Sequence, residues 1–557
     1  MWTSIRRRKN DGIAITLSLM AISLLIACGP SQEVRERITL AVSDDATEAN
    51  ISEGYAVDLP PDVREFYRSR DGDPLWINGR GLNARGRAAL DALRKSQTEG
   101  LNPERYAIPM IESLADSAAD GDDETRADRL RDIELLLTSR YLLHLEDLAI
   151  GAVEPQLSLP DSAWRRQRLE SIASGEDPNE ATSSLVPLAP EYEQLRAALA
   201  RYQAIADEGG WETVPAGEGE AAIQAVRNRL IAERDTVESA LSSEPIGPVG
   251  SMDEKLEQAI SHFQTRHAIE ATGALNERTR QAMNVPVDER LHSLRVTMDR
   301  WRALPREFGE LYVFVNIPSY ELRVIEGEND ILEMKVVVGK DVHPTPTMSD
   351  TMEYVVVNPY WNVPESILEA EILPAVRKDR NYLTKQNMEV VDRDGDSPQV
   401  IDMKSVDFDG EEFPYQVRQR PGPGNALGRV KFMFPNKQNI YLHDTPADAL
   451  FDRNDRAFSH GCVRVEKPME LADLILSKAS DVTPEQFRAI LAGGEEKHIR
   501  LDRGIPVYLA YLTAWVDDEA GVRFYPDLYD RDSAVSEVAR ARLAPAPAPV
   551  RRRIVSS

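Results

Sequence analysis

IYLHDTPADALFDRNDRAFSHGCVRVEKP, residues 440–468, decides how this chain is read. The apolar alternation around Tyr441 predicts a strand that delivers His443 at its end. Gly461, directly before Cys462, allows a tight backbone and close approach of a substrate. Pro468 and a helical pattern from Met469 to Leu476 follow, so the cysteine sits near a turn into a helix. That helix does not start at the thiol, so its dipole is not expected to tune the sulfur.

A cysteine that attacks an amide must lose its proton to a nearby imidazole, recover it later, and face donors for the developing oxyanion. His443 and Cys462 are suited to the first two tasks. The only other cysteine is Cys28. Cys28 has a use of its own, so the thiol of Cys462 stays unpaired. No Cys/His pattern has zinc-ligand spacing, and His443, His460 and Cys462 lack a fourth ligand beside them.

Outward from this stretch the pattern is β-rich. LYVFVNIPSYELRVIE (311–326), LEMKVVVG (332–339) and MEYVVVNPYWNVP (352–364) are short apolar runs separated by polar turns. They predict a mainly-β domain over 306–530. Residues 366–425 interrupt it with a helix-like segment (Ile367 to Arg377), acidic loops and the knot Pro421-Gly422-Pro423-Gly424, an insertion long enough to act as a cap.

Further upstream the period is helical. Residues 56–244 read as a helical domain, with Leu135, Leu136, Tyr141, Leu142, Leu145 and Leu148 near helical spacing, and with a lone His144 that reads as a packed side chain. Residues 245–286 read as a small helical unit. Ser251 to Glu254 resemble a capping box, Leu256, Ile260 and Phe263 share a face, and Asn276 can cap a second helix. Residues 287–305 form an amphipathic linker helix with Leu291, Leu294, Met298 and Trp301 on one stripe, closed by Pro305. The fold class is multidomain α+β.

At the N-terminus, Arg6 to Lys9 precede an apolar run, Ile13 to Ala27, that is short for a membrane span and right for a signal peptide, residues 1–27. Residues 28–55 are polar and acidic and read as a flexible tether; residues 531–557, rich in Ala, Pro and Arg, read as a disordered tail. The formal net charge of -27 argues against a nucleic-acid partner.

Several of these segments resemble known families. Leu25-Ile26-Ala27-Cys28 is similar to a lipoprotein lipobox, which implies lipidation of Cys28. With Gly29 rather than Asp next, it implies anchoring at the outer membrane of a diderm bacterium, facing the periplasm. AISHFQTRHAIEATGALNERTRQAMNVP (259–286) resembles the type 1 peptidoglycan-binding domain, with Phe263, Gln264, Thr272, Gly273 and Thr279 on that pattern. His443, a gap of fifteen residues, and Ser459-His460-Gly461-Cys462 resemble the signature of YkuD-type L,D-transpeptidases. NALGRVKFMFPN (425–436), HDTP (443–446) and SHGCVRVEKP (459–468) look most like the large YcbB-like branch. That branch also carries a helical scaffold domain, a peptidoglycan-binding domain and a capping insertion.

This resemblance implies Cys462 as nucleophile and His443 as general base and acid. It implies that Asp444 orients the imidazole, through its backbone carbonyl, and that N–H groups around Gly461 and Cys462 form an oxyanion hole. Tyr441, Ser459 and His460 would line or brace the site, and Tyr441 and His460 each have a purely structural reading as well. Arg464 stands where smaller relatives have Asn; it could bind a substrate carboxylate, or pair with Glu466 or an aspartate. The implied reaction takes a stem tetrapeptide to a thioester and then to a 3→3 cross-link, with no metal or organic cofactor. Carbapenems would acylate the thiol. A D,D-carboxypeptidase and a glycosyltransferase are the implied partners. The alternatives are an L,D-carboxypeptidase or endopeptidase on the same thiol, and a non-catalytic tether between membrane and wall.

Overall fold

The computed structural model describes residues 31–43, 48–51, 55–151, 161–217, 219–233, 252–392, 398–410, 412–517 and 521–535. Cys28 and the signal segment lie outside these residues, as do Ser251 and the tail from 536. The chain divides into two units. The first comprises residues up to Trp211, Val285–Arg306 and the stretch from Ala534; the second comprises Glu212–Asn284 and Glu307–Ser533.

The first unit is helical, as its periodicity predicts. Its longest helix, Asp123–Ile150, is capped by the Asp122 side chain on Thr125 N–H and buries Leu135, Leu136, Tyr141, Leu142, Leu145 and Leu148. His144 is packed edge-on against Tyr106, and burial together with Arg302 holds its imidazole down at about 3.

Three expected boundaries move. The tether predicted over 28–55 is folded where described: a helix, Gln32–Ala41, seats Val34, Ile38 and Val42 in the core, and the paired strands Glu48–Ile51 and Tyr55–Asp58 add Ala49, Ile51 and Val57. Val34, Ile38 and the C-cap Val42, four apart, dock a helix that is otherwise mostly polar. The linker helix, Val287–Arg302, buries its predicted stripe and packs against helix Pro190–Asp207 of the same unit. The predicted tail begins too early: Asp532 accepts from Thr513 Oγ1, and Val535 is buried.

In the second unit, helix Glu220–Ala232 joins Glu254–Arg266 and Glu277–Met283 around Val226, Leu230, Leu256, Ile260, Phe263 and Met283. The small module therefore draws its third helix from upstream of residue 245. Asp253 caps helix Glu254–Arg266, and Asn276 caps Glu277–Met283 as expected.

The rest of the unit is a sheet of nine strands. They are β1 Leu311–Asn316, β2 Glu321–Glu326, β3 Asn329–Gly339, β4 Met348–Val357, β5 Val430–Met433, β6 Leu442–His443, β7 Ala457–Ser459, β8 Val463–Val465 and β9 Lys497–Ala510. Their order is β7-β3-β8-β6-β5-β4-β9-β1-β2, and a further β2–β3 pairing brings the sheet back on itself. Helix Pro468–Ala479 packs Leu471, Ile475 and Leu476 into the same core as Phe432, Leu442 and Val463. Each such buried aliphatic side chain contributes about 1.5–3 kcal/mol.

The insertion between β4 and β5 is a folded α+β piece rather than acidic loops. Strands Trp361–Asn362, Met388–Val391, Val400–Ile401 and Gln416–Gln419 form their own sheet. With the helical stretch 365–378 they enclose Leu368, Ile372, Val376, Leu383, Val390 and Val417.

Candidate active site

Strands β6 and β8 run parallel, with Leu442 opposite Val463 and His443 opposite Arg464. One step back along the register, Tyr441 lies beside Cys462, and Val463 N–H donates to Tyr441 C=O at 3.1 Å. Side chains alternate along a strand, and register neighbours share a face. Tyr441, His443, Cys462 and Arg464 therefore share one face, while Leu442 and Val463 are fully buried on the other. The interleaving of Tyr-Leu-His with Cys-Val-Arg is what a strand needs to carry a reactive face over a core.

His443 is buried, and its Nδ1 lies 2.6 Å from the Asp444 carbonyl oxygen. A carbonyl only accepts, so Nδ1 carries the proton and Nε2 keeps its lone pair. Burial, reinforced by Arg464 and Lys431, holds the imidazole down at about 3, so it is neutral at physiological pH. The Asp444 carboxylate accepts from Arg429 N–H at 2.7 Å and Thr445 N–H at 2.6 Å. It also packs on Gly428, where a Cβ would fall 2.2 Å from Asp444 Cγ.

Cys462 is half-buried. Burial pushes its thiol up; the Tyr441 backbone and hydroxyl, Arg464 and Lys431 pull it back. In this conformation the thiol donates to Asn439 C=O at 3.7 Å. The Tyr441 phenol is held well above its ordinary range by burial and by the neighbouring sulfur, so it remains a donor.

Gly461 has φ +110°, a conformation suited to glycine. Its N–H donates to Ser459 Oγ at 3.0 Å, and that hydroxyl donates to Cys462 C=O at 2.5 Å. Ser459 thus braces the turn, and the Gly461 N–H expected in an oxyanion hole is already engaged. The Gly461 carbonyl accepts from Thr345 Oγ1 at 2.7 Å.

His460 reaches the insertion: its Nε2 lies 3.1 Å from Glu371 Oε1, and its ring lies 5.0 Å from that of His343. Arg464 is half-buried and makes no ion pair among the described residues; Glu466, its suggested partner, engages Lys335 instead. The sequence assigned no role to Lys431, Thr345 or Gly428; the first and last lie in the stretch 425–436, but only strand register and the neighbouring turn show what they touch.

Of the five residues matched to the peptidoglycan-binding pattern, Thr272 is exposed and the other four are buried. Phe263, Gln264 and Thr279 are fully buried. Gln264 Nε2 donates to Thr272 Oγ1, Ala274 C=O and Thr279 Oγ1, and its Oε1 accepts from Gly273 N–H. That pattern preserves a fold, because a buried amide must satisfy both ends internally.

Family models match three stretches: "L,D-transpeptidase catalytic domain" over 310–485, "Scaffold domain" over 61–199 and "Putative peptidoglycan binding domain" over 221–283. The chain carries a YkuD-type L,D-transpeptidase catalytic domain. That domain contains both His443 and Cys462, and the third match includes the upstream helix that completes the small module.

A curated Haemophilus influenzae protein named "Putative L,D-transpeptidase" is 40% identical over 226 residues, 40% of this chain and 45% of that protein. The match thus spans less than half of the relative's length. An L,D-transpeptidase from Mycobacterium smegmatis is 11% identical with a TM-score of 0.17, covering 36% of this chain and 58% of that one. Mycobacterium tuberculosis L,D-transpeptidase 1 is 11% identical with a TM-score of 0.15, covering 36% and 61%. Scores this low add nothing on the fold. Among the described residues, no helix is long and apolar enough to cross a membrane.

Proposed function

We propose that this protein is a peptidoglycan L,D-transpeptidase of the cell envelope, with Cys462 as nucleophile and His443 as general base and acid. The observation that carries this reading is the shared face of Tyr441, His443, Cys462 and Arg464, set by the β6–β8 register. The resting thiol and imidazole are both neutral, which favours proton transfer during attack over a preformed ion pair.

The donor is a stem tetrapeptide. Cys462 Sγ bonds to the carbonyl carbon of the third residue while its proton passes to His443 Nε2. That proton then goes to the departing amine, the C–N bond breaks, and D-Ala leaves. The acceptor amine of a second stem gives its proton to Nε2, attacks the thioester and expels the sulfur, leaving a 3→3 cross-link. The expelled thiolate takes that proton back from Nε2, and the Tyr441 hydroxyl is a donor to the sulfur as it leaves.

The Glu371–His460 contact supports a capping role for the insertion, which would keep water from the thioester. The small module supports attachment to the wall, and lipidation of Cys28 would tether the protein at the outer membrane. Intact mass spectrometry after incubation with a tetrapeptide muropeptide tests the reading. A thioester adduct on Cys462 followed by a cross-linked dimer is expected. A hydrolysed tripeptide alone would reassign the protein to the L,D-carboxypeptidases, and no adduct would end the proposal.

A further inference from the structure

The catalytic face extends one strand beyond the motif. In β5, Lys431 stands opposite His443, as Arg464 does in β8, so Lys431, His443 and Arg464 form one row across three adjacent strands. Adjacent strands are roughly 4.8 Å apart, and the two long side chains flank the imidazole within reach of the sulfur. Both act electrostatically on Cys462, and Lys431 Nζ lies 5.7 Å from the centre of the Tyr441 ring.

Two half-buried cations beside a buried imidazole repel each other and the imidazolium. Such a placement is costly unless an anion completes it. No described residue does. Arg464 makes no ion pair, and its Nε is buried without a hydrogen-bond partner. The acid that faces Lys431 is Glu496, and it is committed elsewhere: Oε2 accepts from Tyr360 N–H at 2.6 Å, and Oε1 lies 3.3 Å from His498 Nε2. By contrast, Arg418 in the insertion is paired with Glu389 at 2.6 Å.

We propose that Lys431 and Arg464 form a carboxylate-binding subsite that brackets His443 and Cys462 and holds an anionic group of the acyl donor. The inference deepens the proposed function and rests on it for the identity of the donor. A bound carboxylate offsets the two cations that add to burial in keeping His443 neutral. The imidazole then becomes a stronger base only once a substrate is seated, which links recognition to proton abstraction. Two carboxylates of a stem tetrapeptide flank the scissile bond, the terminal one of the leaving residue and the side-chain one of the third residue.

The test compares wild type, Lys431→Met and Lys431→Arg on three donors: the tetrapeptide, the same peptide amidated at its C-terminus, and one amidated at the third-residue side chain. For wild type, amidating the recognised carboxylate is expected to lower acylation kcat/KM by about ten- to a hundredfold, and the arm that falls identifies which carboxylate is bound. Lys431→Met is expected to lose most of that discrimination, and Lys431→Arg to keep it. Equal discrimination in wild type and Lys431→Met would overturn the subsite.

A second readout is independent of the natural donor. Cys462 is alkylated with anionic iodoacetate and with neutral iodoacetamide, and the ratio of rates is taken. The ratio is expected to fall roughly three- to tenfold in Lys431→Met. An unchanged ratio in a variant of unaltered melting temperature overturns the subsite. Failure of every peptide donor to acylate wild type would overturn the proposed function and leave the alkylation ratio to judge the subsite.

Discussion

His443 and Arg464 stand opposite each other across two parallel strands, so a guanidinium without a carboxylate partner among the described residues sits beside the imidazole of the reactive pair. Burial, reinforced by this guanidinium, keeps His443 neutral. It makes the histidine a base that waits for its substrate rather than half of a standing ion pair.

The first consequence concerns the pair itself. Cys462→Ala is expected to abolish acylation. His443→Gln is expected to slow it about 10²- to 10⁴-fold while leaving the fold intact. Rates of adduct formation with a carbapenem, followed by intact mass, check both. Full activity in His443→Gln would remove the histidine from the mechanism.

The second concerns pH. The His443 imidazole is lowered from 6.5 to about 3, and the Cys462 thiol is raised from 9.0. Acylation should therefore be flat from roughly pH 5 to pH 8 in the free enzyme, with no inflection near 6.5. Stability should behave differently. Between 6.5 and about 3 the unfolded chain takes protons on His443 and His144 that the folded chain refuses, so stability is expected to fall as pH drops through that window. Melting temperatures across the range test this; a flat curve, or one that rises toward acid, would contradict the buried neutral histidines.

A third prediction concerns Gly428. An alanine there places Cβ 2.2 Å from Asp444 Cγ at a φ of +60°, and so must push Asp444 and its carbonyl away from His443. Gly428→Ala is expected to cost about 1–2 kcal/mol of stability and at least roughly tenfold in acylation. Loss of stability with undiminished acylation would show that the Asp444 carbonyl does not set the imidazole.

The fourth concerns the insertion. Glu371 and His460 are both partly exposed, so Glu371→Gln should change stability by less than about 1 kcal/mol. Its expected effect is local: faster amide exchange over residues 366–378 and a larger share of hydrolysed thioester. Unaltered exchange there would mean the contact does not hold the insertion.

The fifth concerns the small module. Gln264→Ala leaves its buried partners unsatisfied and is expected to destabilise by about 2–4 kcal/mol. Calorimetry of the full chain checks it. A negligible shift would indicate that water replaces the amide, and would reopen the residue as a ligand contact.

How far the sequence reaches can be judged from single residues. Asn276 and Thr279 announced a helix cap by type and spacing, and the cap is present. Val34, Ile38 and Val42 also have helical spacing, yet three apolar residues in an acidic stretch are too few to stand out until a core exists to receive them. Gln264 shows the opposite limit. Its place in a motif was legible, but motif membership does not distinguish a residue that touches a ligand from one that holds the fold, and only burial separates them.

The order of residues alone determined that a histidine and a lone thiol lie at fixed spacing in a β-rich domain, because strand periodicity and nucleophile chemistry are local properties of the chain. Tertiary structure alone decided what else surrounds them: Lys431 from β5, Gly428 against the Asp444 side chain, Thr345 on the Gly461 carbonyl, and Glu371 on His460. Strand register and burial bring those groups together across long stretches of chain, and neither is written in any one segment.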